Sequence, residues 1–185
     1  MRVVAGQWRG RRLSAPPGQA TRPTTDRVKE ALFSILGGAV DGARVVDLCC
    51  GSGGLGIEAL SRGAAFVEFV DHSWQALDAV GRNLASCGAA DETYRLLRRD
   101  VLGWLADESA AGGHRDLILA DPPYAGELAP DIWRAFCRLA AGGLCTRAVL
   151  EHAPALDLDD PPAGWRVDRR RYGAASLSIM EKDDE

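Results

Sequence analysis

The 185-residue chain is poor in the residues that staple small proteins or hold metals. It has three histidines and five cysteines, at positions 49, 50, 87, 137 and 145, an odd count with no C-x-x-C pair. Neither a disulfide framework nor a metal site is indicated. No apolar run approaches the roughly 18 residues of a membrane span, and no signal-type apolar stretch follows the first residues. Internal repeats and low-complexity segments are also missing. The expectation is one globular domain in the cytoplasm, with 46% hydrophobic and 26% charged residues supplying a sizeable core.

Net charge needs more care. The chain carries 22 Lys and Arg against 26 Asp and Glu, a formal −4, which on its face argues against a nucleic-acid partner. The total hides a lopsided distribution. Residues 1–30 hold seven basic side chains and two acidic ones, a net of +5, so the remaining 155 residues sum to −9. A basic arm ahead of an acidic body is a sign of contact with polyanions.

From residue 44 onward, short apolar runs alternate with helical patterns, the signature of a βαβ sheet. Strands are predicted at Arg44–Cys50, Ala65–Asp71, Tyr94–Asp100, Asp116–Asp121 and Leu144–Glu151, with helices at Leu55–Arg62, Trp74–Cys87, Leu102–Glu108 and Pro130–Ala140. Gly63, Gly88 and Gly142 each stand where a left-handed helix cap is needed. The proline- and aspartate-rich stretch His152–Gly164 reads as a loop, and Trp165–Tyr172 and Ala174–Glu181 as a terminal antiparallel hairpin. Ahead of the sheet, Val28, Ala31, Leu32, Ile35 and Leu36 mark an amphipathic helix that Gly37-Gly38 would stop. Residues 1–15 are compatible with a small hairpin around Gly6 and Gly10. The organisation expected is a basic extension over 1–23 and an α/β domain over 24–185.

The chemistry concentrates at the predicted strand ends. Gly51, Gly53 and Gly56 fit G-x-G-x-x-G in a strand–turn–helix setting, which lets a nucleotide-like ligand approach the backbone, although a glycine turn also suits plain packing. Asp71, 20 residues beyond Gly51, is placed to accept from two ribose hydroxyls; its alternative is a strand-end or capping carboxylate. These features fit both NAD and S-adenosylmethionine. Asp47 separates them, because a carboxylate before the first glycine repels a pyrophosphate and favours a cofactor bearing sulfonium and ammonium charges. Asp100 is placed to accept from an adenine amino group, with the Val101 amide donating to a ring nitrogen.

The fourth predicted strand ends in Asp121-Pro122-Pro123-Tyr124. A planar exocyclic amine has its lone pair delocalised into the ring, so methylating it requires a fixed orientation. Asp121 can accept one N–H and the Pro122 carbonyl the other, while Pro122 and Pro123 restrict the backbone that aims them and Tyr124 offers a stacking face. The plain alternative is a proline turn with a packed tyrosine.

Together these residues resemble the class I S-adenosylmethionine-dependent methyltransferases, and within them the RsmD family of 16S rRNA guanine-N2 methyltransferases. The resemblance runs from Arg2-Val3-Val4-Ala5-Gly6 through Thr21-Arg22-Pro23-Thr24-Thr25-Asp26-Arg27 and Leu55-Gly56-Ile57-Glu58-Ala59 to Asp121–Tyr124. It implies a Rossmann-like, seven-stranded, mostly parallel sheet with an antiparallel terminal hairpin and a small basic N-terminal hairpin extension. It implies S-adenosylmethionine over the glycine turn, with Cys49, Ser52 and His72 joining the residues above, and no metal. Its implied partner is 16S rRNA, in the small ribosomal subunit or an assembly intermediate, met by a monomer. Arg2, Arg9, Arg11 and Arg12 would contact phosphates with Trp8 available to stack, while Arg22, Thr24 and Arg27 would border the cofactor and target base. Cys49-Cys50 departs from relatives, which commonly have an aromatic or small residue followed by alanine. Arg169-Arg170-Arg171 forms a second basic cluster on the predicted hairpin, where an exposed solvated face is the plain reading. Rival readings are an adenine-N6 methyltransferase, an NAD-dependent oxidoreductase and a non-catalytic rRNA-binding assembly factor.

Overall fold

The computed structural model describes residues 1–16, 26–111, 113–123 and 128–183. After α1 (Asp26–Leu36), strands and helices alternate as β1 (Arg44–Leu48), α2 (Gly54–Ser61), β2 (Phe66–Asp71), α3 (Trp74–Cys87), β3 (Tyr94–Arg98), α4 (Val101–Ala111), β4 (Arg115–Ala120), α5 (Leu128–Ala141) and β5 (Cys145–His152). A hairpin of β6 (Trp165–Tyr172) and β7 (Ala175–Lys182) closes the chain. One seven-stranded sheet results, in the order β3-β2-β1-β4-β5-β7-β6. Neighbours among β1 to β5 run parallel, β7 lies antiparallel to β5, and β6 lies antiparallel to β7. Among the described residues no helix is long and apolar enough to cross a membrane.

Side-chain alternation along the central strands explains the two-sided burial. Val45 and Leu117 face a core shared with α1, α2 and α3, whereas Val46, Leu48 and Ile118 face one shared with α4 and α5. The second core holds Trp133, fully buried, whose indole N–H donates to the Asp159 carbonyl at 2.8 Å. That bond fixes the long loop before β6 against α5.

Most element ends fall within one to three residues of the sequence expectation, and three differences have identifiable physical causes. β3 ends at Arg98, and Asp100 begins the next helix, its Oδ2 accepting the Gly103 N–H at 2.8 Å. The left-handed residue after α5 is Gly143 (φ 69°), not Gly142, because the helix runs one residue further, to Ala141. The buried stripe of α1 is rotated from the predicted one: Ala31 and Ile35 are half-buried, while Lys29 and Phe33 are buried.

Lys29 explains that rotation. Its ammonium is fully buried, donates to the Arg2 carbonyl at 2.5 Å and lies 3.4 Å from the Glu58 carboxylate, also fully buried, in α2. Glu58 also accepts the Val4 and Ala5 backbone N–H groups at 2.7 and 2.9 Å and the Arg62 guanidinium at 2.9 Å. Burial pulls the Lys29 pKa below its ordinary value, and Glu58 opposes that shift. The pair therefore holds residues 1–5, α1 and α2 at one point. The first residues double back antiparallel, with an Arg2 to Arg12 bridge and a Val3 N–H bond to the Arg11 carbonyl. Ser61 adds a hydroxyl bond to the Ala5 carbonyl and accepts the Trp8 N–H. At Gly6 (φ 82°) a Cβ would come within 1.8 Å of the Ser61 carbonyl oxygen, so only glycine allows this approach.

Glu58→Ala leaves the buried Lys29 ammonium without its counter-ion and two backbone N–H groups without their acceptor. It is expected to lower the unfolding free energy by about 3–5 kcal/mol, measured by urea denaturation.

Candidate active site

Between β1 and α2 the chain turns through three left-handed residues in five positions: Cys49 (φ 56°), Gly51 (φ 54°) and Gly53 (φ 79°). The three motif glycines have different tasks. A Cβ at Gly51 would meet nothing within 4 Å, so this backbone lies open to a ligand. At Gly56 a Cβ would drive to 2.3 Å from the Phe69 ring, so that glycine serves the packing of α2 on β2. At Gly53 the neighbours are Ile57 and Val80 at 3.1 Å, and the glycine serves the turn and close packing together.

Carboxylates pin this turn from below and from the side. Asp47, 2% exposed, accepts the Gly56 N–H at 2.8 Å. One first-turn amide of α2 is therefore already bonded to an anion, which makes this helix terminus a poor seat for a pyrophosphate. Asp71 accepts the Gly51 N–H with Oδ2 at 3.0 Å and the Ser73 N–H with Oδ1 at 2.8 Å. Both uses leave lone pairs on each oxygen. His72 is exposed, with Nδ1 3.5 Å from Asp71 Oδ1. Ser52 is buried and its carbonyl accepts from Asn83 Nδ2 at 2.9 Å.

Cys49 reports the field at the mouth of the turn. Burial pushes its thiol pKa up, and Asp71, Asp47, Asp121 and Asp100 all add to the rise. Four acidic side chains from successive parts of the chain thus converge on one place, and the thiol stays protonated rather than acting as a nucleophile. Asp121 follows β4 directly, half-buried, with its N–H directed to the Leu48 carbonyl at 3.5 Å. Pro122 is buried and Pro123 exposed. Tyr124 lies outside the described residues, as do Arg22 and Thr24.

With that geometry in view, the comparisons are specific. Residues 1–181 match the family model described as Conserved hypothetical protein 95. YlbH of Bacillus subtilis, a candidate rRNA methyltransferase, is 45% identical over 125 residues, 67% of each chain. Ribosomal RNA small subunit methyltransferase D of Escherichia coli is 36% identical over 124 residues, which span 67% of this chain and 60% of that one. This chain belongs to the RsmD family. In three dimensions it is similar to the candidate methyltransferase yhhF of Escherichia coli, with a TM-score of 0.82, 29% identity and coverage of 100% and 99% of the two chains. The fold is the Rossmann-like class I methyltransferase fold.

Several side chains outside the sequence motifs shape the surroundings of the turn. Glu58 and Lys29 were legible as lone charges on otherwise apolar helix faces, a pattern that calls for a buried partner. Asn83 joins the N-terminal segment to the turn, since it bonds Ser14 N–H and Ser14 carbonyl as well as the Ser52 carbonyl. Trp74, 65% exposed, opens α3 three residues beyond Asp71. Of the basic residues, Arg9, Arg11, Arg12 and Arg27 are exposed, Arg2 is exposed and bonded to Asp26 at 2.9 Å, and Trp8 packs half-buried against the core. The turn carrying Trp8 lies against Ser61, at the end of α2 remote from the glycine turn.

Burial raises the Asp47 carboxyl well above its ordinary range; the Gly56 N–H opposes this, and Asp121 and Asp71 reinforce it. The unfolded chain therefore releases this proton at a lower pH than the folded chain does, and the resulting cost to stability grows as pH rises from about 3.9 toward the raised folded value. Asp47→Asn keeps an acceptor for Gly56 without the charge. It is expected to resist urea better than the parent at neutral pH, with the difference shrinking toward pH 4.

Proposed function

We propose that this chain transfers a methyl group from S-adenosylmethionine to the exocyclic N2 of a guanine in small-subunit rRNA. The observation that carries this reading is a glycine turn open at Gly51 and held by the Asp47 and Asp71 carboxylates, with Asp121 beside it at the end of the neighbouring β4. The Asp47 and Asp71 carboxylates, as acceptors, fit a ligand with sulfonium and ammonium charges and ribose hydroxyls, and disfavour one carrying phosphates. Membership of the RsmD family supports the same substrate class.

S-adenosylmethionine, when bound, supplies an electrophilic methyl group. Asp71 and the Gly51 backbone hold the nucleoside end, with His72 beside them. Asp100 and the Val101 amide serve the adenine edge, Asp100 doing so with the carboxylate that also caps α4. Asp47 acts from beneath by fixing the turn, with Cys49 and Ser52 completing its backbone. Asp121 accepts one N–H of the target amine and the Pro122 carbonyl the other, which orients the nitrogen and stabilises the positive charge that develops on it. Pro123 restricts the backbone, and Tyr124 is assigned to stack on the base. The guanine leaves its own stack to reach these acceptors.

The proposed setting is a cytoplasmic monomer acting on 16S rRNA in the small subunit or an assembly intermediate. Residues 1–23 form its RNA-binding extension and 24–185 its catalytic domain, with Arg2, Arg9, Arg11, Arg12, Arg22, Thr24 and Arg27 contacting the RNA.

Asp121→Ala is expected to lower kcat by about 100-fold or more, with S-adenosylmethionine affinity measured by calorimetry nearly unchanged. The assay is tritiated-methyl transfer to undermodified small subunits, followed by nucleoside digestion. N2-methylguanosine supports the reading; N6-methyladenosine or binding without incorporation rejects it. Neutralising Arg9, Arg11 and Arg12 is expected to weaken RNA binding and lower the slope of log K against log salt by about 0.7 per lost phosphate contact, while cofactor affinity stays constant.

A further inference from the structure

The sheet register brings a second group of arginines to the same end of the molecule as the glycine turn. In β6, Arg169, Arg170 and Arg171 pair with Ser178, Leu177 and Ser176 of β7, which pair in turn with Leu150, Glu151 and His152 of β5. Leu150 is level with Ala120, the last residue of β4, and Ala120 with Leu48, the last of β1. The three arginines therefore stand level with Asp121 and the entry to the turn. They lie three strand spacings from β4, about 14 Å. All three are exposed.

Three of the four arginines of β6 stand at this end, beside Asp168, the strand's one carboxylate. At the far end, Arg166 and Arg147 share the Glu181 carboxylate. At the site end, Arg169 donates to the Leu158 carbonyl and Arg171 to the Gly173 carbonyl, and neither meets a carboxylate among the described residues. Arg170 pairs with Asp168. Strand alternation sets Arg170 on the sheet face that carries Leu177 and Ile179, and Arg169 and Arg171 on the opposite face. Arginines on an edge strand also discourage pairing with other chains, but charge anywhere along the strand serves that purpose. It does not account for a cluster at one end.

We propose that Arg170 and Arg171, projecting to either side of the β6 edge, make that edge a second phosphate-binding ridge for RNA, at the opposite side of the sheet from the segment docked on α2. This rests on the rRNA reading above and extends it. A strand passing Asp121 toward the β6 edge meets cationic side chains there. At ~3.4 Å per nucleotide of helical strand, the gap from β4 corresponds to about four nucleotides. Arg169, tied to the loop at Leu158, holds the hairpin in place more than it contacts RNA.

The test uses the full chain as Arg170→Gln/Arg171→Gln and as Arg171→Gln alone, the single variant guarding against a hairpin loosened by losing the Asp168 pair. Filter binding to naked small-subunit rRNA is followed from about 50 to 200 mM salt. The slope of log K against log salt is expected to fall by about 0.7 in the single variant and about 1.4 in the double one. RNA KM should rise several-fold, with kcat at saturating RNA and S-adenosylmethionine affinity unchanged. An unchanged slope and KM overturn the proposal. Weaker binding to intact subunits without any change on naked rRNA also overturns it, and assigns the surface to a ribosomal protein. If the parent protein methylates no small-subunit rRNA, the functional reading fails, whereas a reduced slope in the variants still upholds the phosphate surface.

Discussion

A buried ion pair between Lys29 and Glu58 is the constraint on which the rest of the structure depends. Two opposite charges from α1 and α2 share one dry site, and the carboxylate also satisfies the backbone N–H groups of Val4 and Ala5. A buried pair of this kind is a weak source of stability, since desolvation offsets much of the attraction. It is a strong source of specificity here. Only one placement of the first residues on α2 supplies Glu58 with four donors, and that placement sets where α1 crosses the sheet.

The glycine turn is built on the same logic of carboxylates bonded to backbone amides. Asp47 and Asp71 hold Gly56 and Gly51, so the turn's shape is fixed by carboxylate side chains. In the proposed function the same side chains both pin the turn and meet the cofactor. The cost is electrostatic: Asp47 is buried near Asp71 and Asp121, a cluster of like charges whose repulsion a positive ligand relieves.

Much of this was legible in the sequence because the βαβ pattern has a strong period and its ligands bind at strand ends. Val45, Val46 and Leu48 announced a strand covered on both faces, and the glycine spacing placed the turn. Asp100 was read as a strand end although it is a helix cap, because an acidic residue between a strand and a helix suits either and only the Gly103 amide decides. The Gly142-Gly143 pair posed a similar ambiguity, resolved by where α5 stops. Lys29 belongs to the +5 of residues 1–30, yet it is fully buried. Composition treats every lysine as wet, and only the partner in α2 reveals that this one is not.

The N-terminal segment finds its partners far along the chain. Val4 bonds a residue 54 positions later, and Ser14 one 69 positions later. Contacts this distant form only after the intervening chain has been ordered, since loop closure must precede them. During synthesis residues 1–16 therefore precede Glu58, Ser61 and Asn83, and they cannot be held in their final place until α2 and α3 have been made.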